Sequence, residues 1–163
     1  MRDKISLVLT IVISLGLIVF SLICGIDLSN LQKDTLLILA IICGCSVAYC
    51  FIVGEISRNN SQMDKLWSVL PIAYAFVIMI KGEFKPRLIF AAIVITIWGV
   101  RLTYNFAKKG AYKIKFWEGE EDYRWVYLRK QKGFSNKGVW GIFDLLFISC
   151  FQNFVVLFIS LPS

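Results

Sequence analysis

The sequence predicts an all-α fold, a polytopic bundle of about five transmembrane helices with its N-terminus in the cytosol. Three observations predict it. Of 163 residues, 58% are hydrophobic and 18% charged, where soluble domains average about 45–50% apolar and about 25% charged. The mean hydropathy is +0.70, and the charged residues gather in short segments between long apolar runs. Lipid leaves backbone groups no external partner, so helices are the expected form of each run.

The spans follow in order, within a single domain. Ile5 to Cys24 is an uncharged run long enough for the ~20 residues that cross ~30 Å of hydrocarbon. Arg2 and Lys4 before it resemble the start of an export signal, but the run exceeds the ~7–15 residues of a signal core. No small-x-small cleavage site follows, and bulky Ile23 precedes Cys24, so the run reads as a retained anchor. Thr35 to Val53 forms the second span. The third, over 64–80, joins Leu66–Ile80 to a polar lead-in at Asp64 and contains Pro71. The fourth, 88–107, carries Arg101, and the fifth, 141–161, is interrupted by Asp144, Gln152 and Asn153. With the N-terminus inside, thirteen Lys and Arg fall in inner segments and four in outer ones (Lys33, Lys81, Lys85, Arg87). That asymmetry orients the bundle by the positive-inside rule and predicts a multi-pass protein of the cell membrane.

Several function classes drop out. The chain has no histidine, which removes imidazole bases and imidazole metal sites. All five cysteines lie in spans, where they behave as small apolar residues, and Cys43 and Cys45, two apart, point to different helix faces. No metal site is expected. A basic balance confined to loops argues against a nucleic-acid partner. Ala40, Gly44 and Ala48 recur every four residues, a stripe suited to close helix contact.

The polar residues in or beside the spans carry more chemistry. Asp64, Trp67, Pro71 and Tyr74 are spaced 3, 4 and 3 apart, as are Trp98, Arg101, Asn105 and Lys108, so each set shares one helix face. An Arg or Asp facing lipid costs roughly 2.5–3.5 kcal/mol, so these groups are expected to face one another or a watery cavity. Arg101, about 9 Å from the cytosolic end of its span, has the alternative of snorkelling. Asp64 and Asp144 have the alternative of compensating helix N-termini.

Residues 108–140 form the longest water-facing segment, with nine basic and four acidic residues and aromatics threaded among them. Arg forks pair phosphates and aromatic faces stack on rings, so the mixture suits a ligand with phosphates and flat rings. The alternative is an amphipathic helix anchoring the loop at the interface. No Gly-rich phosphate loop is present.

The run Asn60-Ser61-Gln62-Met63-Asp64-Lys65-Leu66-Trp67 leads into a span with Pro71. Trp98-Gly99-Val100-Arg101-Leu102, Glu121-Asp122-Tyr123-Arg124-Trp125 and Leu128-Arg129 follow. Together they resemble bacterial membrane proteins related to the steroid 5-alpha reductase C-terminal domain, over roughly residues 35–163. The resemblance implies a multi-helix membrane enzyme that passes a hydride from NADPH to a carbon–carbon double bond of a steroid or other lipid. Sterol reductases and isoprenylcysteine methyltransferases are relatives, so fold alone does not fix the chemistry. It implies cofactor-binding roles for Trp67, Trp98, Arg101, Asp122, Tyr123, Arg124 and Arg129. Asp64 would orient a polar group, and Tyr74 is a proton donor by chemical type. The family continues with further spans and a cofactor-binding segment that this sequence does not contain. The expectation is therefore the front half of a reductase, inactive without a second chain that completes the site. The competing expectation is a non-catalytic, assembly-forming membrane protein whose polar stripes bind other helices.

Overall fold

The computed structural model describes residues 28–113, 119–134 and 136–161. The predicted first span, 5–24, lies outside the described residues. The chain divides into a unit of residues 1–33 and a unit Asp34–Ser163; the core and the candidate site both lie in the second. Among the described residues all regular structure is helical: α1 (Asn30–Ser57), α2 (Gln62–Leu66), α3 (Leu70–Lys81), α4 (Pro86–Lys108), α5 (Tyr123–Arg129), α6 (Lys137–Phe143), a π-helical stretch (Asp144–Phe151) and α7 (Gln152–Ser160). The last three run on as one helix, Lys137–Ser160. It joins α1 and α4 as the three helices long and apolar enough to cross a membrane, so a lipid bilayer is the environment they fit.

Local chemistry sets the ends. Ser29 and Gln32 bond reciprocally, Ser29 N–H donating to Gln32 Oε1 at 2.9 Å and Gln32 N–H to Ser29 Oγ at 3.3 Å, a capping box that starts α1. The chain leaves α1 through Arg58, in the left-handed region at φ 53°, while Asn59 N–H returns to the Gly54 carbonyl. Asp122 caps α5 by accepting from Arg124 N–H, and Asn136 caps α6 by accepting from Gly138 N–H, both at 2.9 Å.

The third predicted span is the one the structure redraws. Instead of a continuous helix over 64–80 there is one turn, α2, a break at Trp67–Val69, and the 12-residue α3. Pro71 explains the break. It has no N–H to donate, its ring would meet the carbonyl of residue 67, and it sits in the first turn of α3, where both are tolerated. Asp64 and Trp67 are thus set off from the helix that carries Tyr74.

The core lies between α1, α3 and the C-terminal helix. Leu39, Cys43, Ser46, Cys50 and Gly54 form the buried face of α1, and Asn153 Nδ2 reaches Cys50 Sγ at 3.9 Å. Against α3, α4 presents Leu88, Ala92 and Gly99, with Ser68 and Thr103 hydroxyls 2.7 Å apart across the contact. Trp98, Arg101, Asn105 and Lys108 are all exposed. At 100° per residue they lie opposite the Leu88–Ala92–Gly99 face, so the expectation that this stripe faces other polar groups of the bundle is corrected: α4 spends its one buried face on α3. The Ala40, Gly44 and Ala48 stripe of α1 is likewise exposed.

Candidate functional site

Where α1 ends and the C-terminal helix begins, the short polar run Arg58–Gln62 meets residues 119–134. From Asn59 on, the run is buried although it is polar: Asn60, Ser61 and Gln62 are 4%, 3% and 0% exposed. Burial of such groups requires partners, and the second segment supplies them. Asn59 Nδ2 donates to the Gly119 carbonyl (3.1 Å), Asn60 N–H to Glu121 Oε1 (2.8 Å), and Asp122 N–H to Ser61 Oγ (2.8 Å). Within the run, Ser61 N–H closes on Asn59 Oδ1 and Gln62 Nε2 on the Asn59 carbonyl. Gly119 has φ 148°, and a Cβ there would collide with the Ala111 carbonyl, so this crossing needs glycine.

Three carboxylates organise the arginines. Asp64 accepts from Trp125 Nε1 at 2.9 Å and from Arg124 Nη2 at 3.5 Å. Arg124 also forks onto Asp122, Nε to Oδ1 at 2.9 Å and Nη2 to Oδ2 at 3.0 Å. Arg129 pairs with Glu121, donates to the Arg58 carbonyl at 3.4 Å and stacks 5.2 Å from the Trp140 ring centre. The Arg124 hydrogen bonds hold the Asp122 carboxyl below its ordinary range, and Asp122 in turn raises the Arg124 guanidinium. The folded pKa of Asp122 is lower than the unfolded one, so the support it gives α5 is present above the unfolded value of about 4 and is lost as pH falls through the folded value. Limited proteolysis should accordingly find residues 119–134 protected at pH 7 and opened below about pH 4. Asp122→Asn should open the segment at pH 7.

Beside these pairs lies a cavity of about 310 Å³, lined by Gly54, Glu55, Arg58, Asn60, Arg129, Phe134, Lys137 and Trp140. Among the described residues neither Arg58 nor Lys137 enters an ion pair. Arg129 Nε is buried without a hydrogen-bond partner, and the buried Asn60 amide and Asp144 carboxyl face each other. A Cβ on Gly54 would stand 3.4 Å from Asn60 Nδ2 and 3.6 Å from Asp144 Oδ2, so this pair sits against the glycine that lines the cavity.

The residues singled out in the sequence are thus sorted by the fold. Asp64, Asp122, Arg124 and Arg129 come together, with Tyr123 beside them, exposed. Trp67 donates to Gln152 Oε1 at 3.1 Å inside the bundle. Tyr74 is 0% exposed, with its hydroxyl beside the Cys43 thiol, and it is not among the cavity residues. Trp98 and Arg101 stand apart on the outer face of α4. Arg58, Asn60, Lys137 and Trp140 were not foreseen as site residues. Their signal in the sequence is the pair of polar runs, Arg58–Gln62 and Ser135–Lys137, at the adjoining ends of two spans. Among the described residues no cluster of three or more metal-ligating side chains occurs.

The family profile described as "Protein of unknown function (DUF1295)" matches residues 50–163. An uncharacterized protein of the fission yeast Schizosaccharomyces pombe is 32% identical over 124 residues, covering 69% of this chain and 34% of the relative. The chain spans about a third of the length of that relative. No solved structure matches.

Proposed function

As the chain belongs to the DUF1295 family, a family related to steroid 5-alpha reductase, we propose that it is the NADPH-binding front half of a membrane reductase acting on a double bond of a lipid or steroid-like substrate. The observation that carries the proposal is the cavity with Arg58 and Lys137, neither ion-paired among the described residues, beside a guanidinium stacked on Trp140. Phosphates pair with such cations and flat rings stack on such faces. The orphaned Arg129 Nε–H is a donor waiting for an acceptor, so these residues fit a phosphate-bearing, ring-bearing group. The volume, near the bottom of the ~300–1,000 Å³ range of ligand pockets, suits one end of a dinucleotide.

In this reading NADPH supplies the hydride. Arg58, Lys137 and Arg129 hold phosphate. Asp64, Asp122 and Arg124 position α5, which carries Arg129 into the cavity wall, with Tyr123 exposed beside them. Tyr74, buried in the core away from the cavity, is a proton donor by chemical type and would need the second chain to open a path to it. Trp67, Trp98 and Arg101 serve the cofactor only once a second chain adds to the site, and the protein has residues 108–140 in the cytosol and its helices in the cell membrane. Purified protein in lipid nanodiscs should bind NADPH in a fluorescence titration, and Arg58→Gln with Lys137→Gln should weaken binding at least ~10-fold, the loss of one charge-assisted contact of ~1.4 kcal/mol or more. Absence of binding, alone and with a co-expressed partner half, would sink the proposal.

One observation favours a second reading, that of an assembly-forming membrane protein. The outward stripe Trp98, Arg101, Asn105 and Lys108 gives a neighbouring helix hydrogen-bonding and charged groups within the membrane. Cross-linking from Asn105→Cys in native membranes should then capture a discrete partner, which Arg101→Leu abolishes.

A further inference from the structure

We infer that the cavity and the aromatic column leading away from it form one site for a single anionic phospholipid, its phosphate at Arg58 and Lys137 and an acyl chain along Phe143, Phe147 and Phe151. Continuity sets this apart from the general wetting of a helix by lipid. Phe134 and Trp140 line the cavity, and both rings pack on Phe143, with centroids 4.8 and 5.6 Å away. From there the column runs into the Lys137–Ser160 helix: Phe143 stacks on Phe147 at 5.1 Å and 19°, and Phe147 on Phe151 at 5.5 Å and 9°. All three rings are half-buried, with exposed Ile142 and Leu146 to one side and buried Asp144 and Ile148 to the other. The column thus follows the seam between the buried and the outward face of a helix long and apolar enough to cross a membrane.

Helix geometry keeps the column straight. In an α-helix side chains four apart turn away from each other by about 40°. The π-helical stretch Asp144–Phe151 has a wider turn, closing on the fifth residue, so the drift shrinks and the rings stay nearly parallel. They span roughly a third of the ~30 Å hydrocarbon core, the upper part of one acyl chain, and offer it an unbroken apolar edge. Charge selects the head. Glu55, Arg58 and Lys137 line the cavity and Arg129 is paired with Glu121, which leaves one net positive charge. A singly anionic phospholipid balances it, whereas phosphatidylcholine leaves it uncompensated and brings a second cation against Arg58 and Lys137. Headgroups lie at the ends of membrane-crossing helices, where this cavity stands. The inference goes beyond the reductase reading and shares with it only the premise that these cations take phosphate, so lipid and cofactor compete for them.

The test places the full-length protein in nanodiscs of phosphatidylcholine and phosphatidylglycerol in equal amounts, with a photoreactive diazirine at mid-chain of one lipid or, in parallel discs, of the other. Native mass spectrometry counts the lipid retained, and peptide mapping locates the photolabel. The expected result is a preference for phosphatidylglycerol of at least ~10-fold, with its label concentrated in residues 143–151 while the phosphatidylcholine label spreads over the outward faces. Arg58→Gln with Lys137→Gln should abolish the preference, and Lys81→Gln, on another basic loop, should keep it. Equal retention of the two lipids overturns the inference. So does a phosphatidylglycerol label spread like that of phosphatidylcholine, or a preference that survives the double substitution. The label is read in the unsubstituted protein, so it decides even where the double substitution unfolds the chain. NADPH is titrated into the same discs to separate the two proposals. Phosphatidylglycerol selectivity without NADPH binding removes the reductase reading and keeps this one; NADPH binding without lipid selectivity does the reverse. Where both hold, NADPH displaces the retained lipid, and NADPH binding that leaves the lipid in place assigns the cavity to the lipid.

Discussion

Gly99→Val is expected to part α3 from α4 and to lower the melting temperature of the purified protein by on the order of 10 °C, taking about 2–4 °C per kcal/mol for a chain of this length. A Cβ at Gly99 would stand 2.6 Å from the Ser68 carbonyl oxygen and 2.6 Å from Ile72 Cδ1. The isoleucine has other rotamers. The carbonyl does not, because it is the backbone of the break between α2 and α3 that Pro71 imposes. Overpacking of this kind costs about 1–3 kcal/mol. Separation also strains the Ser68–Thr103 hydroxyl pair, adding roughly 0.6–2 kcal/mol for a hydrogen bond between helices in lipid. Gly99→Ala should show a smaller drop in the same direction. Gly44→Val is the control, since nothing lies within 4 Å of a Cβ there. If Gly99→Ala melts with the parent protein, the close approach of the two helices is wrong.

Long apolar runs announced α1, α4 and the C-terminal helix in the sequence, and the observed bounds lie within about five residues of the expected ones at each end. Length and hydropathy suffice there because each helix satisfies its own backbone. What escaped was the interruption at Trp67–Val69. A proline in the first turn of a helix and a proline inside one look alike until the start of that helix is known, and the start was masked by the polar lead-in. The outward face of α4 escaped for another reason. Periodicity shows which residues share a face, as Trp98, Arg101, Asn105 and Lys108 do, but not which face meets a neighbour, and the small residues Ala92 and Gly99 settled that in favour of α3.

The candidate site was half legible. Asp64, Asp122, Arg124 and Arg129 stand out because charge beside aromatics in a membrane protein is conspicuous. The fold shows that the first three are largely spent on one another, with Arg124 gripped by both aspartates. The cations with charge to spare are Arg58 and Lys137, which look like ordinary loop residues in the sequence. An orphaned atom such as Arg129 Nε is invisible in any sequence, because the lack of a partner is a property of geometry.

Glu121 joins the two sides of that site, and its removal should pull stability and anion binding in opposite directions. One oxygen, Oε1, accepts from the buried Asn60 N–H at 2.8 Å and pairs with Arg129. Glu121→Ala orphans both the amide and the guanidinium, whose Nε already lacks a partner. Breaking a buried pair costs about 3–5 kcal/mol. Here the side chains keep 14% and 29% exposure, so water recovers part of it and a loss of about 2–3 kcal/mol is expected, read as a lower unfolding midpoint. Glu121→Gln keeps an acceptor for Asn60 and should lose about half as much. Both variants remove a negative charge beside the cavity and free Arg129 from its partner, so a phosphate-bearing ligand should bind more tightly, by about 1 kcal/mol or roughly fivefold. Glu121→Gln therefore separates two roles for Arg129. Weaker folding with tighter phosphate binding means that Glu121 restrains a ligand-binding guanidinium. Weaker folding with weaker binding means that Arg129 serves only to pin residues 119–134 to the end of α1, and that the rim cations Arg58 and Lys137 hold phosphate without it.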